Sequence, residues 1–377
     1  MRRPADSVLL LAAGLELALL LLLSAPANPD KPGVSGGIRT GAAQLRGEGP
    51  PVDLIQDYVG ARSLVQTRES YPRLTDAFAS VGVHWSANHR STHPPTAFLL
   101  ALPIAWLPWN AASALWAALM LLAIAAAWWL FGASAAAAAA LTPLTLVWPP
   151  AAWSLGQLTP LWLLGLALAW RLRDRPAGAG AAIAFASLTK LLPALCLVPL
   201  LVLGRWRALR GFVAVWIAAI ALLLLLRPGV LERYFHLARA VGRDQAARGE
   251  NSALLWAAGH NFGVAGVAAA LALVAAVVAV SVRRLRTLRR LDRRSWDFWS
   301  WVSVALLPIA WIYSLLPLLP ALVRVLLRGP LVARALALAT LTIPFFVDPF
   351  GLPSGIRLAF GTAWLGAALL VDVAPRA

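Results

Sequence analysis

Residues 111–131 read Ala-Ala-Ser-Ala-Leu-Trp-Ala-Ala-Leu-Met-Leu-Leu-Ala-Ile-Ala-Ala-Ala-Trp-Trp-Leu-Phe, a stretch without one formal charge. A helix needs about 20 apolar residues to cross a bilayer, and this run is that long. Further apolar runs follow the same grammar at about 96–108, 135–153, 158–172, 177–203, 211–226, 263–282, 298–326, 331–347 and 356–373. The whole 377-residue chain is 60% hydrophobic and 13% charged, with a mean hydropathy of +0.74. A soluble domain is nearer 45–50% apolar and about 25% charged, so this composition leaves too little polar surface to cover a globule. A soluble enzyme, a disordered chain and a collagen-like fibre are excluded. The expected fold is an all-α polytopic membrane protein of about 10–12 transmembrane helices.

Charge sets the expected topology. Lys+Arg number 33 against 16 Asp+Glu, and only Lys31 and Lys190 are lysines. The arginines cluster between apolar runs, at Arg171–Arg175, Arg205–Arg210 and in the Arg-rich loop 283–296. That is the positive-inside pattern of cytoplasmic loops, so the excess charge reads as topology, with no nucleic acid as partner. Residues 1–26 join Arg2-Arg3 to the apolar run Val8–Leu23 and the small-residue stretch Ser24–Ala27. This fits a secretory signal, and it also fits an uncleaved first span, the reading favoured here, with a cytoplasmic N-terminus. Segment 27–93 is then a large first extracytoplasmic loop. Within it residues 52–65 read as an interfacial helix, with apolar residues at 54, 55, 58, 61 and 65. A second outward loop covers 227–262. No soluble domain interrupts the single membrane domain 1–377. The long runs 177–203 and 298–326 carry prolines at 193, 199, 308, 317 and 320 and are flanked by arginine, so each is expected as a broken helical hairpin. The lone cysteine, Cys196, lies in one of these runs and reads as packing.

Chemistry needs polar groups, and these are few. Asp53 and Asp57 are four residues apart and share a helix face. Paired carboxylates raise one pKa, which suits a general base; the alternative is a solvated face with Arg62 as partner. His84, His89 and His93 fall within one short stretch, but their spacing is poor for zinc, and they read as contacts to a headgroup or sugar. No metal and no cofactor is demanded, and a divalent ion is not excluded. Lys190, inside an apolar run, either snorkels to the interface or neutralises an anion such as a lipid phosphate. The 18 tryptophans read first as an interfacial belt. No phosphate-cradling loop and no dinucleotide fingerprint is present.

Four ordered stretches carry a resemblance. They are Asp53-Leu-x-x-Asp57-Tyr58-x-x-Ala61-Arg62-x-Leu64 with Tyr71-Pro72; His93-Pro-Pro95-x-x-x-Leu99-Leu100-x-Leu-Pro103 with Leu115-Trp116; Leu155-Gly156-Gln157-Leu with Thr189-Lys190-x-x-Pro193; and Glu250-Asn251-Ser252 with Leu307-Pro308-Ile-Ala-Trp311-Ile-Tyr313 and Pro317. Together they resemble glycosyltransferase family 87, the polyprenyl-phosphate-mannose-type enzymes of the GT-C superfamily. The resemblance implies a GT-C-type helical bundle with its site at the outer face. It implies an inverting transfer from a lipid-linked donor, with Asp53 as base and Asp57 ranked second. It places Tyr58, Arg62, Gln157, Asn251, Trp311 and Tyr313 at substrate or donor contacts. A polyprenyl-phosphate leaving group needs cationic contacts near the interface, and Lys190, Arg90, Arg227 and the imidazoles of His89 and His93 are the candidates. One departure stands out: the family often has Trp-x-His-Tyr where this chain reads Trp311-Ile-Tyr313-Ser314.

The expected reaction is movement of a sugar, mannose or another hexose, from a polyprenyl-phosphate donor to an extracytoplasmic glycolipid or glycan acceptor. Nucleotide sugars are cytosolic, so an outward-facing transferase in the plasma (inner) membrane needs a bilayer-borne donor. The competing readings are a lipid or solute transporter or flippase, and a catalytically degenerate membrane scaffold. A transporter predicts ionisable groups along a mid-membrane path and paired repeats, of which the sequence offers only Glu16 and Lys190.

Overall fold

The computed structural model describes residues 52–66, 69–83, 90–91, 93–147, 156–246, 251, 253–342 and 354–373. The N-terminal apolar run, the first loop as far as residue 51 and His89 lie outside them. Among the described residues the chain is all helical, apart from one isolated bridge between Arg73 and Arg90.

Helix α1 is Val52–Val65, and Leu54, Ile55, Tyr58, Ala61 and Leu64 form its buried stripe. Asp53 in its first turn and Arg62 in its last complement the helix dipole. The short helices α2 (Leu74–Ala79) and α3 (Pro95–Ala101) follow. Pro95 opens α3, a position where its missing N–H costs nothing.

Among the described residues three helices are long and apolar enough to cross a membrane: α4 (Trp109–Leu130) and, further along, Arg207–Leu226 and Leu254–Leu288. Between them come α5 (Ala135–Val147), α6 (Thr159–Arg171), α7 (Pro176–Ser187) and α8 (Val198–Val202). Helix α6 has 13 residues, about 20 Å of rise, well short of a 30 Å hydrocarbon core. The run 177–203 is broken, as its prolines require. Helix α7 stops at Ser187, a 3-10 turn with Pro193 in its first turn covers Leu192–Leu197, and Pro199 opens α8. The run 298–326 breaks in the same way. Helix α12 (Arg293–Ala305) ends before a 3-10 turn at Ile312–Leu318, and α13 (Leu319–Arg328) follows.

Helix α9 is Arg207–Leu226 and α10 is Val230–Ala246. Helices α7 and α9 touch backbone to backbone: a Cβ on Gly180 would lie 1.8 Å from the Ala208 carbonyl oxygen. Helix α11, Leu254–Leu288, starts nine residues before the apolar run read from the sequence and breaks direction at Gly263 (φ 59°, ψ −148°). The segment 227–262 is therefore mostly helix. Helices α14 (Leu331–Thr342) and α15 (Ser354–Val373) complete the bundle.

The connections define two poles. Helices α6, α11 and α15 each run towards a crowd of arginines. There Arg293 pairs with Asp297 at 2.9 Å, Arg324 bonds both Asp297 and Asp372, and Arg294 reaches Asp372 at 3.2 Å. At the opposite pole lie α1, the start of α6, the end of α7 and the turn before Ile312.

Candidate active site

Helix α1 presents Asp53 and Asp57 one turn apart, on the side facing the bundle. Asp53 is half-buried. Its Oδ1 accepts from the Gln56 amide at 3.1 Å, and its Oδ2 accepts from the Gln157 amide. Asp57 is fully buried, and its Oδ1 lies 2.8 Å from His93 Nδ1. Its Oδ2 has no hydrogen-bond partner.

Gln157 reaches Asp53 because the chain turns sharply just before it. Gly156 has φ +70°, a left-handed conformation that glycine adopts without steric cost. Its carbonyl accepts from Trp116 Nε1 at 2.9 Å, which ties the turn to α4. Lys190 lies where α7 gives way to the 3-10 turn. The Leu188 carbonyl in the same segment accepts from Thr96 Oγ1 of α3 at 2.7 Å. The Lys190 ammonium donates to Ser314 Oγ at 2.9 Å and stands 5.3 Å from the Tyr313 ring centroid. The Tyr313 hydroxyl engages the Gln157 side chain and lies within electrostatic reach of Asp53 and Asp57.

Charges at this pole are coupled. Burial pushes Asp53 above its ordinary value of 3.8, while the His93 charge and the Gln157 hydrogen bond pull the other way. For His93 burial works against charge, yet Asp57, with Asp53 behind it, outweighs burial and holds the imidazole above 6.5.

The structure thus gathers Asp53, Asp57, His93, Gln157, Lys190 and Tyr313 from five separate segments. Other residues singled out from the sequence are used differently. Tyr58 donates to the Leu107 carbonyl at 2.7 Å, accepts from Arg62 at 3.1 Å and packs edge-on against Trp109; this brace fixes α1 to the segment leading into α4. Arg90 pairs with Glu69. Asn251, fully buried, accepts from the N–H groups of Ala253 and Ala310 at 3.0 Å each, and so holds the start of α11 to the turn before Trp311. Trp311 packs beside Tyr313 against α4 and α6. Two residues passed over in the sequence reading matter here. Gln56 sits three positions after Asp53, a spacing that signals a helical neighbour. Ser314 is the residue that follows the departure at Tyr313, and it is the partner of Lys190.

Among the described residues no group of three or more His, Cys, Asp or Glu is placed to hold a metal.

No curated protein and no solved structure matches the chain. One family model does, over residues 92–309, more than half of the 377. The matched stretch carries His93, Gln157, Lys190 and Asn251; Asp53, Asp57, Trp311 and Tyr313 come to the same pole from outside it. With its apolar helices and this polar pole, the chain belongs to glycosyltransferase family 87.

Proposed function

We propose that this membrane glycosyltransferase moves a hexose, mannose in the simplest case, from a polyprenyl-phosphate donor to a glycolipid or glycan acceptor on the extracytoplasmic face of the plasma membrane. Asp53 acts as the general base. The acceptor hydroxyl gives its proton to Asp53 as its oxygen attacks the anomeric carbon, and configuration inverts. One observation carries this reading: a half-buried carboxylate held by two amides, with the Lys190 ammonium and the His93 imidazole beside it. A base and a cationic pole for a phosphate leaving group are what the transfer requires.

A second feature supports a donor carried in lipid. Between α11 and α15 lies a cavity of about 440 Å³, lined by apolar residues including Leu254, Ala257, Phe262, Gly266, Ala270 and Phe360. It begins three residues after Asn251, whose amide holds the turn carrying Ser314, the partner of Lys190. Its lining runs from Leu254 to Leu273, on both arms of α11 either side of the break at Gly263. An isoprenoid chain suits such a trough when its phosphate lies at the polar pole. Lys190, His93 and Tyr313 are the donor contacts in this reading, and Tyr58, Arg62, Asn251 and Trp311 support them.

The test is transfer of labelled sugar from a polyprenyl-phosphate sugar in membranes holding wild type or Asp53→Asn. Transfer by wild type that the variant loses, with donor binding retained, supports the reading. Equal transfer by both overturns Asp53 as base, and no transfer with any lipid-phosphate sugar overturns the donor.

A further inference from the structure

We propose that His93 is the catalytic acid of this site and that Asp57 is its positioning residue rather than a second base. The inference rests on the transferase reading above. Its geometry is specific. Asp57 Oδ1 engages His93 Nδ1 at 2.8 Å, and Asp57 has no exposed surface. An ionised carboxylate only accepts, so Nδ1 carries the proton of that bond, and Nε2 is the nitrogen left for a ligand. Two further contacts hold the residue still: its carbonyl accepts from the Tyr71 hydroxyl at 3.3 Å, and its backbone runs directly into Pro94 and α3. The His93 side chain keeps 17% of its surface exposed.

The groups facing the ring explain its proton. From α1, Asp57 and Asp53 favour the imidazolium. From the segment after α7, Lys190 opposes it. Tyr71 bonds the His93 backbone carbonyl. Burial also opposes charge, and the two carboxylates prevail.

The step then balances. The acceptor oxygen forms its bond to the anomeric carbon and gives its proton to Asp53. The bond from that carbon to the phosphate oxygen breaks, its electron pair goes to the phosphate, and Nε2–H of His93 supplies the proton that the leaving phosphate takes. Asp53 ends protonated and His93 neutral, so a proton passed between them resets the site.

The experiment compares the pH dependence of kcat for wild type, His93→Gln and Asp57→Asn, using a purified polyprenyl-phosphate sugar. Wild type should show a bell. His93→Gln should lose about a hundredfold in kcat with little change in KM, and should lose the high-pH limb. Asp57→Asn removes the charge that holds the imidazole protonated, so its high-pH limb should move to lower pH, and the low-pH limb of Asp53, which the Asp57 charge also raises, should move the same way. Both variants keeping the wild-type high-pH limb would overturn the proposal, as would loss expressed only in KM. Should wild type transfer nothing at any pH, the reaction reading fails, and an NMR titration of the imidazole judges the pair alone. A His93 pKa that drops in Asp57→Asn supports the positioning role, and one that stays put refutes it.

Discussion

Asp53 is poised by opposing forces, and the balance is open to experiment. Burial raises its pKa, and the Gln157 amide lowers it by bonding the charged form. A base works only when deprotonated, so turnover falls as pH drops through the Asp53 pKa, at a pH above the ordinary 3.8. Gln157→Leu removes one lowering contact, so the low-pH limb of kcat/KM should shift upward. A limb that does not move would exclude Gln157 as the partner that tunes this carboxylate. The i,i+4 spacing of Asp53 and Asp57 was legible because helix geometry alone places both on one face. Their division of labour was not. It depends on His93, 36 residues from Asp57, and on Gln157, 104 residues from Asp53.

At the scale of elements, two devices deliver the site. The first is the turn at Gly156. An alanine there adopts φ +70° at a cost of about 1–2 kcal/mol. Gly156→Ala should therefore lower the melting temperature in detergent and reduce transfer together, because Gln157 leaves its register against Asp53. Melting unchanged at full activity would show that the turn tolerates a side chain. The second device is the ionic knot at the other pole. Arg324 bonds Asp297 and Asp372, which are 1–2% exposed, and so joins α12, α13 and α15. Removing one partner of a buried ionic cluster typically costs about 3–5 kcal/mol, since it strands the charge left behind. Arg324→Met should accordingly be strongly destabilised, and Asp297→Asn in the same background should recover part of the loss. No recovery in the double variant would argue against stranded charge as the cause.

The molecule as a whole is bipolar, with carboxylates and imidazole at one end and paired arginines at the other. Under the positive-inside rule the proposed orientation puts the arginine pole in the cytoplasm, and this can be tested. Glu232 and Asp174 have well-exposed side chains on segments assigned to opposite sides. The native cysteine, Cys196, is buried, so an introduced thiol can be read against a low background. In sealed right-side-out vesicles, Glu232→Cys should react with a membrane-impermeant maleimide, and Asp174→Cys should react only after permeabilisation. The reverse pattern would invert the topology and place the site on the cytoplasmic face.

Composition and periodicity by themselves determined that this chain is helical and lives in a bilayer. Sixty per cent apolar residues cannot be covered by so few polar ones, and each apolar run has to satisfy its backbone internally. Proline positions also announced where the runs at 177–203 and 298–326 break, since proline removes a donor wherever it stands. Only the tertiary structure decided the rest. Helix α6 reaches only about two-thirds of a crossing, and the segment 227–262 is mostly helix. Tyr58 and Arg62 brace α1 rather than join the cluster, and Lys190 turns to Ser314. These outcomes rest on which distant segments share a pole, and local pattern does not encode that. A helix face can be read from its spacing, but what it faces is settled when the bundle packs.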